Sequence, residues 1–406
     1  MPSSSSALRV SPELRAAAYH FTVFGTAGVA SVYFGIWLTT KGIRPDEIGL
    51  INAAPVLAML AVNMLIGRLA DRAKDWRDVV VVLSLIAGVI PLGLFFVSGF
   101  WGILLLWTLA NVPASALIPV VDAATLRMTQ RRGSDFGSVR GWGTVGYMVT
   151  TAAAGPLIGW LGDAAFVPLF LAFALLRALV SLQLPRFRAA GDELRLPVRG
   201  AGSLKQVLKP WFILTLLGVG ILYSTHGGLS AFAALHWQQQ GIDAGWIGPL
   251  FALMAASEAA MMFAWTKLNI KISARHLIML ASVVAAFRWI AMAFAPPLWA
   301  LFGLQLLHAI TFAMGYLGGI YFIANWTSEE IAAEAQGFSY VLQQAMTVLA
   351  LVGMGVGVAA FGYGAWALLG LYALFGAALV GLSLWLMPPT ATPVRPVDGP
   401  AAEPIP

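Results

Sequence analysis

Along most of this chain the apolar positions follow neither a helical nor a strand period. They run on for about twenty residues, stop at a short cluster of Gly, Pro or charge, and resume. A run of that length is what a helix needs to cross the roughly 30 Å hydrocarbon core of a bilayer at about 1.5 Å per residue. A surface helix of a soluble domain would instead show polar residues every third or fourth position. Twelve runs are read, near Ala16–Leu38, Ile48–Leu69, Val79–Val97, Gly102–Leu126, Gly141–Leu161, Phe166–Leu184, Trp211–Trp237, Trp246–Trp265, Leu277–Ala295, Leu298–Asn325, Gly337–Phe361 and Gly364–Met387. The first is not expected to be a cleaved leader, because it is long and contains His20 and several Gly, with no small-residue cleavage site before a soluble body. The pattern predicts an all-α membrane protein of twelve transmembrane helices.

The longest polar interruption, Pro185–Pro210, divides the runs six and six, and the halves echo each other. After the first run the chain reads Lys-Gly-Ile-Arg-Pro-Asp-Glu-Ile-Gly over Lys41–Gly49. After the seventh it reads Gln-Gly-Ile-Asp-Ala-Gly-Trp-Ile-Gly over Gln240–Gly248, at an offset of 199 residues. A duplicated six-helix unit is the architecture of transporters whose site lies between the halves. The expected organisation is a tail over 1–15, a helical bundle over 16–184, a loop over 185–210, a second bundle over 211–387 and a disordered tail over 388–406.

Composition narrows the class. Apolar residues make up 59% of the chain and charged ones 10%, with a mean hydropathy of +0.82, far from the roughly 25% charge of a soluble domain. There is no Cys, which excludes disulfide frameworks, thiolate metal sites and cysteine nucleophiles. The net charge of +6 resembles a nucleic-acid footprint only until the bases are located. Numbering the connections alternately puts 20 of the 24 Lys and Arg on one side, which predicts that both termini and the 185–210 loop are cytoplasmic. The expected location is the inner (cytoplasmic) membrane, and the expected partners are a small-molecule substrate, protons and lipid. Nucleic acid is not among them, and no metal or cofactor is expected beyond a proton gradient as driving force. The chain is expected to act as a monomer.

Ionisable side chains at membrane depth are costly and are candidates for function. Those read inside the runs are His20, Asp122, Arg177, His226, Glu258, Arg288 and His308. Counted from the basic ends of their runs, Glu258, Arg288 and His308 lie about 8, 12 and 17 residues in, which at ~1.5 Å per residue places all three in the middle of the membrane. A carboxylate among apolar neighbours holds a proton more readily, and a nearby guanidinium opposes this, so the three are expected to couple proton movement to transport. Asp122 and Arg140, on either side of a short loop, are expected to form a gating pair, and Arg177 to snorkel toward the cytoplasmic side. Trp107, Trp289, Tyr33, Tyr223 and Tyr316, with Gln305, are expected to line a substrate cavity in which Arg288 receives a carboxylate.

At the second connection, Gly67-Arg-Leu-Ala-Asp71-Arg72 resembles the first half of the loop signature of the major facilitator superfamily, although Lys74-Asp75 stands where that signature continues with Gly and bases. The resemblance implies the major facilitator fold, two pseudo-symmetric six-helix bundles, with Asp71 and Arg72 in a gate near the helix beginning at Gly337. Pro119-Val-Val-Asp122-Ala, Phe136-Gly-Ser-Val-Arg140-Gly-Trp-Gly, Glu258, Phe287-Arg288-Trp289 and Gln305-Leu-Leu-His308 together look like the phenylpropionate permease family. More distantly, the chain is similar to lactose-permease-type and nucleoside proton symporters, which place a Glu, an Arg and a His in these same three spans. Those symporters carry a carboxylate one turn after the His and a Lys one turn before it, where this chain has Thr311 and Gln305. The resemblance implies proton-coupled uptake of a small organic solute such as 3-phenylpropionate by alternating access.

Alternatives stay open at this point. Sugar or nucleoside symport is one, and proton-driven export is another, since Gly155-Pro156-Leu-Ile-Gly159 faintly resembles the Gly-Pro signature of drug antiporters. A membrane enzyme or sensor is least expected, since the chain has no His-Glu-x-x-His and no Gly-x-Ser-x-Gly.

Overall fold

The computed structural model describes residues 11–187, 208–268, 271–327 and 329–388, and the regular structure among them is entirely helical. The expected tails and the centre of the expected loop, at 1–10, 389–406 and 188–207, lie outside the described residues. In the first half the helices are α1 (Pro12–Thr40), α2 (Pro45–Arg72), α3 (Trp76–Val89), α4 (Phe100–Arg132), α5 (Phe136–Leu161) and α6 (Phe166–Ser181). The second half contains α7 (Pro210–Gln239), α8 (Ala244–Leu268), α9 (Ala274–Met292), α10 (Leu298–Leu306), α11 (Gly315–Trp326), α12 (Glu329–Phe361) and α13 (Ala365–Leu386). Between α10 and α11 the chain continues as a π-helical turn, Ala309–Met314, so the predicted tenth run is one stretch in three pieces.

Ten stretches among the described residues are long and apolar enough to cross a membrane. The count differs from twelve for two reasons. The stretch 334–386 holds both α12 and α13, and α5 is not among the ten. Its apolarity is diluted by Arg140, Thr150, Thr151 and a series of Gly.

Local chemistry starts and stops the helices. Ser11 accepts from the Leu14 amide at α1, Asp75 from Arg77 at α3, Asp135 from Ser138 at α5 and Ser273 from His276 at α9, each satisfying an amide that the helix itself leaves unpaired. Gly133 closes α4 in the left-handed region at φ 66°, where a Cβ would be strained.

The repeat seen in sequence reappears as matched clamps. Arg77, second residue of α3, donates to the carbonyls of Leu182 and Leu184 beyond the end of α6, both at 2.8 Å. Arg275, second residue of α9, donates to the carbonyl of Ser383 at 2.9 Å and of Met387 at 2.6 Å, at the end of α13. The spacing is again near 199 residues. Each guanidinium satisfies carbonyls that a helix C-terminus leaves open. Arg275 is fully buried, whereas the Arg77 side chain is 30% exposed. Arg275→Met therefore leaves buried carbonyls unmet and is expected to cost on the order of 2 kcal/mol, with Arg77→Met costing less. Thermal unfolding in detergent checks this: equal melting temperatures for Arg275→Met and the parent would show the clamp to be dispensable.

The core divides at one end only. At the end that carries these clamps, called here the basic end, each half packs a separate apolar cluster, one around Tyr19, Trp76 and Phe187, the other around Phe212, Phe322 and Trp326. At the opposite end a single large cluster joins both halves, running from Trp37 and Phe166 to Trp237, Phe251 and Trp366. Glycines let the halves approach there. A Cβ on Gly49 (α2) would lie 2.5 Å from the Leu351 carbonyl of α12, and one on Gly155 (α5) would lie 2.9 Å from the Ala244 carbonyl of α8. The molecule is thus closed at the opposite end and parted at the basic end. Its outer surface displays Trp160, Phe263 and Trp385, each more than three-quarters exposed, as expected of a lipid-facing wall.

Candidate functional site

Two adjoining cavities open among the described residues, one between the halves and one within the second half. The larger, 830 Å³, is walled by α2, α4 and α12, and its polar lining is Asn52, Asn111, Ser115, Asp122, Gln336 and Gln344, with Trp107 and Tyr340 among the apolar groups. The smaller, 410 Å³, lies in the second half and is lined by Tyr223, Glu258, Phe312, Tyr316, Gln343 and others. Gln336 and Tyr340 of α12 line both, so the cavities share a wall.

Glu258, Arg288 and His308 come together from α8, α9 and the residue just before the π-helical turn. His308 Nε2 lies 3.4 Å from Glu258 Oε2, and Arg288 Nη1 donates to His308 Nδ1 at 3.3 Å. Arg288 also donates to Thr311 Oγ1 at 3.2 Å and, through Nη2, to Gln305 Oε1 at 2.6 Å. The π-helical turn follows directly on His308, and its Thr311 faces the same guanidinium as His308, three residues earlier. Such turns recur at functional sites. The Glu258 side chain is 34% exposed in its cavity, whereas Arg288 is wholly buried.

The first half holds a second ionic group. Arg140 Nε lies 2.9 Å from Asp122 Oδ1, and the guanidinium stacks over the Phe24 ring at 4.1 Å. His20 of α1 approaches the same carboxylate at 3.8 Å and reaches Thr125 Oγ1 at 3.2 Å. Both partners of the Asp122–Arg140 pair belong to one half, on α4 and α5, so the pair does not bridge the two halves; Asp122 lines the larger cavity.

Three of the aromatic residues expected in the cavity line one: Trp107 in the larger, Tyr223 and Tyr316 in the smaller. Tyr33 does not; it is buried and donates to the Gly155 carbonyl at 3.1 Å near the closed end. Trp289 and Gln305 are fully buried behind Arg288, and the guanidinium that was expected to meet substrate faces His308, Thr311 and Gln305 instead. Arg177, expected to snorkel toward the cytoplasmic side, is 3% exposed and interacts with Tyr19 of the basic-end cluster. Arg72 is exposed at the end of α2, and the Asp71 side chain lies outside the described residues.

Sequence reading missed Asn52, Asn111, Gln336 and Gln344. Uncharged amides attract no notice in an apolar run, although four of them facing one cavity are its main hydrogen-bonding equipment.

Comparison with known proteins gives these features a frame. The family model described as MFS_1 like family matches residues 14–373. The probable 3-phenylpropionic acid transporter of Escherichia coli (strain K12) is 27% identical over 319 residues, covering 77% of this chain and 82% of that protein. Maltose permease of Geobacillus stearothermophilus is 27% identical over 288 residues, covering 69% and 71%. Among solved structures, nucleoside transporter NupG superposes with a TM-score of 0.73 at 17% identity, covering 94% of this chain and all of that one. An inward-facing bacterial homolog of the human lysosomal transporter Spinster gives 0.70 at 16% identity, covering 91% and 96%. At such identities the structural likeness is one of fold.

Proposed function

The chain belongs to the MFS_1 like family of multi-pass membrane transporters, and from that premise we propose that it is a proton-coupled symporter importing a small organic solute across the inner membrane. It has twelve spans in this reading: α10, the π-helical turn and α11 form one, and α12 and α13 form two. Both termini and the basic end face the cytoplasm, so the parted end is the inward-open side of an alternating-access cycle. The protein works as a monomer and takes no cofactor.

The observation that carries the coupling is the unbroken path Glu258–His308–Arg288, with a carboxylate facing the cavity at one end and a guanidinium enclosed by the protein at the other. Glu258 can take up and release a proton at the cavity while Arg288, enclosed within the bundle, supplies the opposing charge.

For the solute, the phenylpropionate transporter among its relatives supports an aromatic monocarboxylate. In the larger cavity the ring would stack on Trp107 or Tyr340, and the carboxylate would draw Arg140 from its pair with the lining residue Asp122. The amides Asn52, Asn111, Gln336 and Gln344 favour a second reading, a sugar whose hydroxyls they would bind, in keeping with the maltose and raffinose permeases also among the relatives.

The test is uptake into proteoliposomes under an imposed pH gradient, acid outside, with labelled 3-phenylpropionate, maltose, raffinose and a nucleoside. One of these is expected to accumulate against its gradient, and 3-phenylpropionate first. Accumulation that ignored the pH gradient for every solute would overturn the coupling.

A further inference from the structure

The hydrogen bonds around Arg288 continue to a side chain that the sequence marked as a functional candidate without assigning it a role. His226 of α7 is 6% exposed, and its ring centroid lies 5.1 Å from that of His308. Its Nδ1 is 3.1 Å from the Leu222 carbonyl and its Nε2 is 3.1 Å from Thr311 Oγ1. The direction of every bond follows from two fixed ends. A carbonyl only accepts and a guanidinium only donates. His226 therefore carries its hydrogen on Nδ1, its Nε2 lone pair receives the Thr311 hydroxyl hydrogen, and the Thr311 oxygen receives Arg288 Nη1. By the same logic His308 accepts from Arg288 at Nδ1 and holds its hydrogen on Nε2, aimed at Glu258.

We propose that His226 is a second seat for the transported proton, linked to Glu258 through Thr311 and Arg288 so that the network holds one proton at a time. This rests on the proton-coupled reading above.

A proton taken up by neutral His226 binds Nε2, displacing the Thr311 hydroxyl hydrogen from its lone pair. That N–H then donates to the Thr311 oxygen in place of Arg288, and the Thr311 hydroxyl hydrogen turns away from His226. Arg288 Nη1 loses Thr311 and faces a new imidazolium, while the Glu258 carboxylate beyond His308 is the anion within the network. Arg288 moves to it, and Glu258 stays ionised. When His226 releases its proton the steps reverse: Arg288 returns to Thr311, His308 and Gln305, and Glu258 is free to be protonated. One proton binds as the other site empties; hydrogen bonds rearrange, and no covalent bond other than those to the moving proton changes.

The groups around His226 are consistent with this. From α9 come Arg288 and Trp289, and from the tenth stretch His308, Thr311 and Phe312, with Glu258 of α8 behind His308. Tyr223 stands one turn earlier on α7, and α12 and α13 present Gln343, Thr347 and Leu369 to that helix.

The experiment needs no substrate. Full-length protein labelled with ¹⁵N-histidine is placed in lipid nanodiscs and followed by solid-state NMR from about pH 4 to about pH 9, with the His226 signal assigned by its loss in His226→Gln. His226 is expected to titrate, and Glu258→Gln to move its midpoint by about one pH unit, a tenfold change in proton affinity. Thr311→Val is expected to abolish that linkage and Thr311→Ser to preserve it. The proposal is overturned if His226 does not titrate, if Glu258→Gln leaves its midpoint in place, or if the linkage survives in Thr311→Val. An unlinked His226 alongside proton-driven uptake removes this proposal and leaves the coupled reading standing. Uptake indifferent to pH removes both.

Discussion

Glu258→Gln is expected to abolish concentrative uptake while exchange of solute across the membrane continues. The substitution keeps shape and an oxygen acceptor, so His308 Nε2, 3.4 Å away in the parent, still has a partner, and Arg288 keeps its bonds to Thr311 and Gln305. What disappears is a group that can carry a proton. The size of the effect follows from the driving force. One pH unit is worth about 1.36 kcal/mol per proton, so a one-proton symporter can hold solute about tenfold more concentrated on the alkaline side. The variant should settle at a ratio of about one at any imposed gradient, and the difference should grow tenfold with each further pH unit. Labelled solute in proteoliposomes measures both arms: accumulation under a gradient and counterflow without one. If the variant still concentrates solute, Glu258 is a structural partner of His308 and the proton travels elsewhere. If counterflow is lost as well, Glu258 binds solute directly.

The reach of the sequence can be judged on particular residues. The apolar runs locate the helices to within several residues, because the bilayer demands length and any interruption stands out. Depth was also legible: counting from the basic ends puts Glu258, Arg288 and His308 in the middle of the membrane, and the structure joins them. Rotation was not. When lipid and protein interior are both apolar, a helix such as α1 or α9 carries no polar stripe to say which side faces the cavity. Tyr33 and Trp289 therefore had the right depth and the wrong face. The π-helical turn is invisible for a related reason, since Ala309–Met314 has ordinary helix-forming residues and only the packing of His308 and Thr311 around Arg288 reveals it. The repeat went further than its short motif suggested. Gly49 and Gly248, read only as matching letters, occupy equivalent crossings where the halves meet.

Those crossings support the other large prediction. Gly248 of α8 lies against Thr151 and Gly155 of α5, and a Cβ on Gly248 would collide with the Thr151 carbonyl. Across the pseudo-two-fold, Gly49 of α2 lies against Leu351 and Gly355 of α12, where a Cβ on Gly355 would lie 2.7 Å from the Pro45 carbonyl. The obstructing atoms are backbone, so no side chain can rotate away, and the halves must separate. Overpacking of this kind typically costs about 1–3 kcal/mol, and it falls only on the state closed at this end. Two such crossings together approach the roughly 5.5 kcal/mol that turns a 1:99 equilibrium into 99:1. Gly248→Val is accordingly expected to shift the protein toward the form open at the opposite end, and Gly49→Val with Gly248→Val to trap it there, with net transport lost. The chain has no Cys, so a single reporter suffices. Tyr33, 1% exposed and bonded to the Gly155 carbonyl, marks the closed end. In a Tyr33→Cys background, labelling by an impermeant maleimide from that side should accelerate at least tenfold, in keeping with a shift of about 1.4 kcal/mol or more per crossing. A reporter that stayed as slow in the double variant would mean that the seal at this end is held by the apolar cluster of Trp37, Trp237 and Phe251, and not by backbone contact at the glycines.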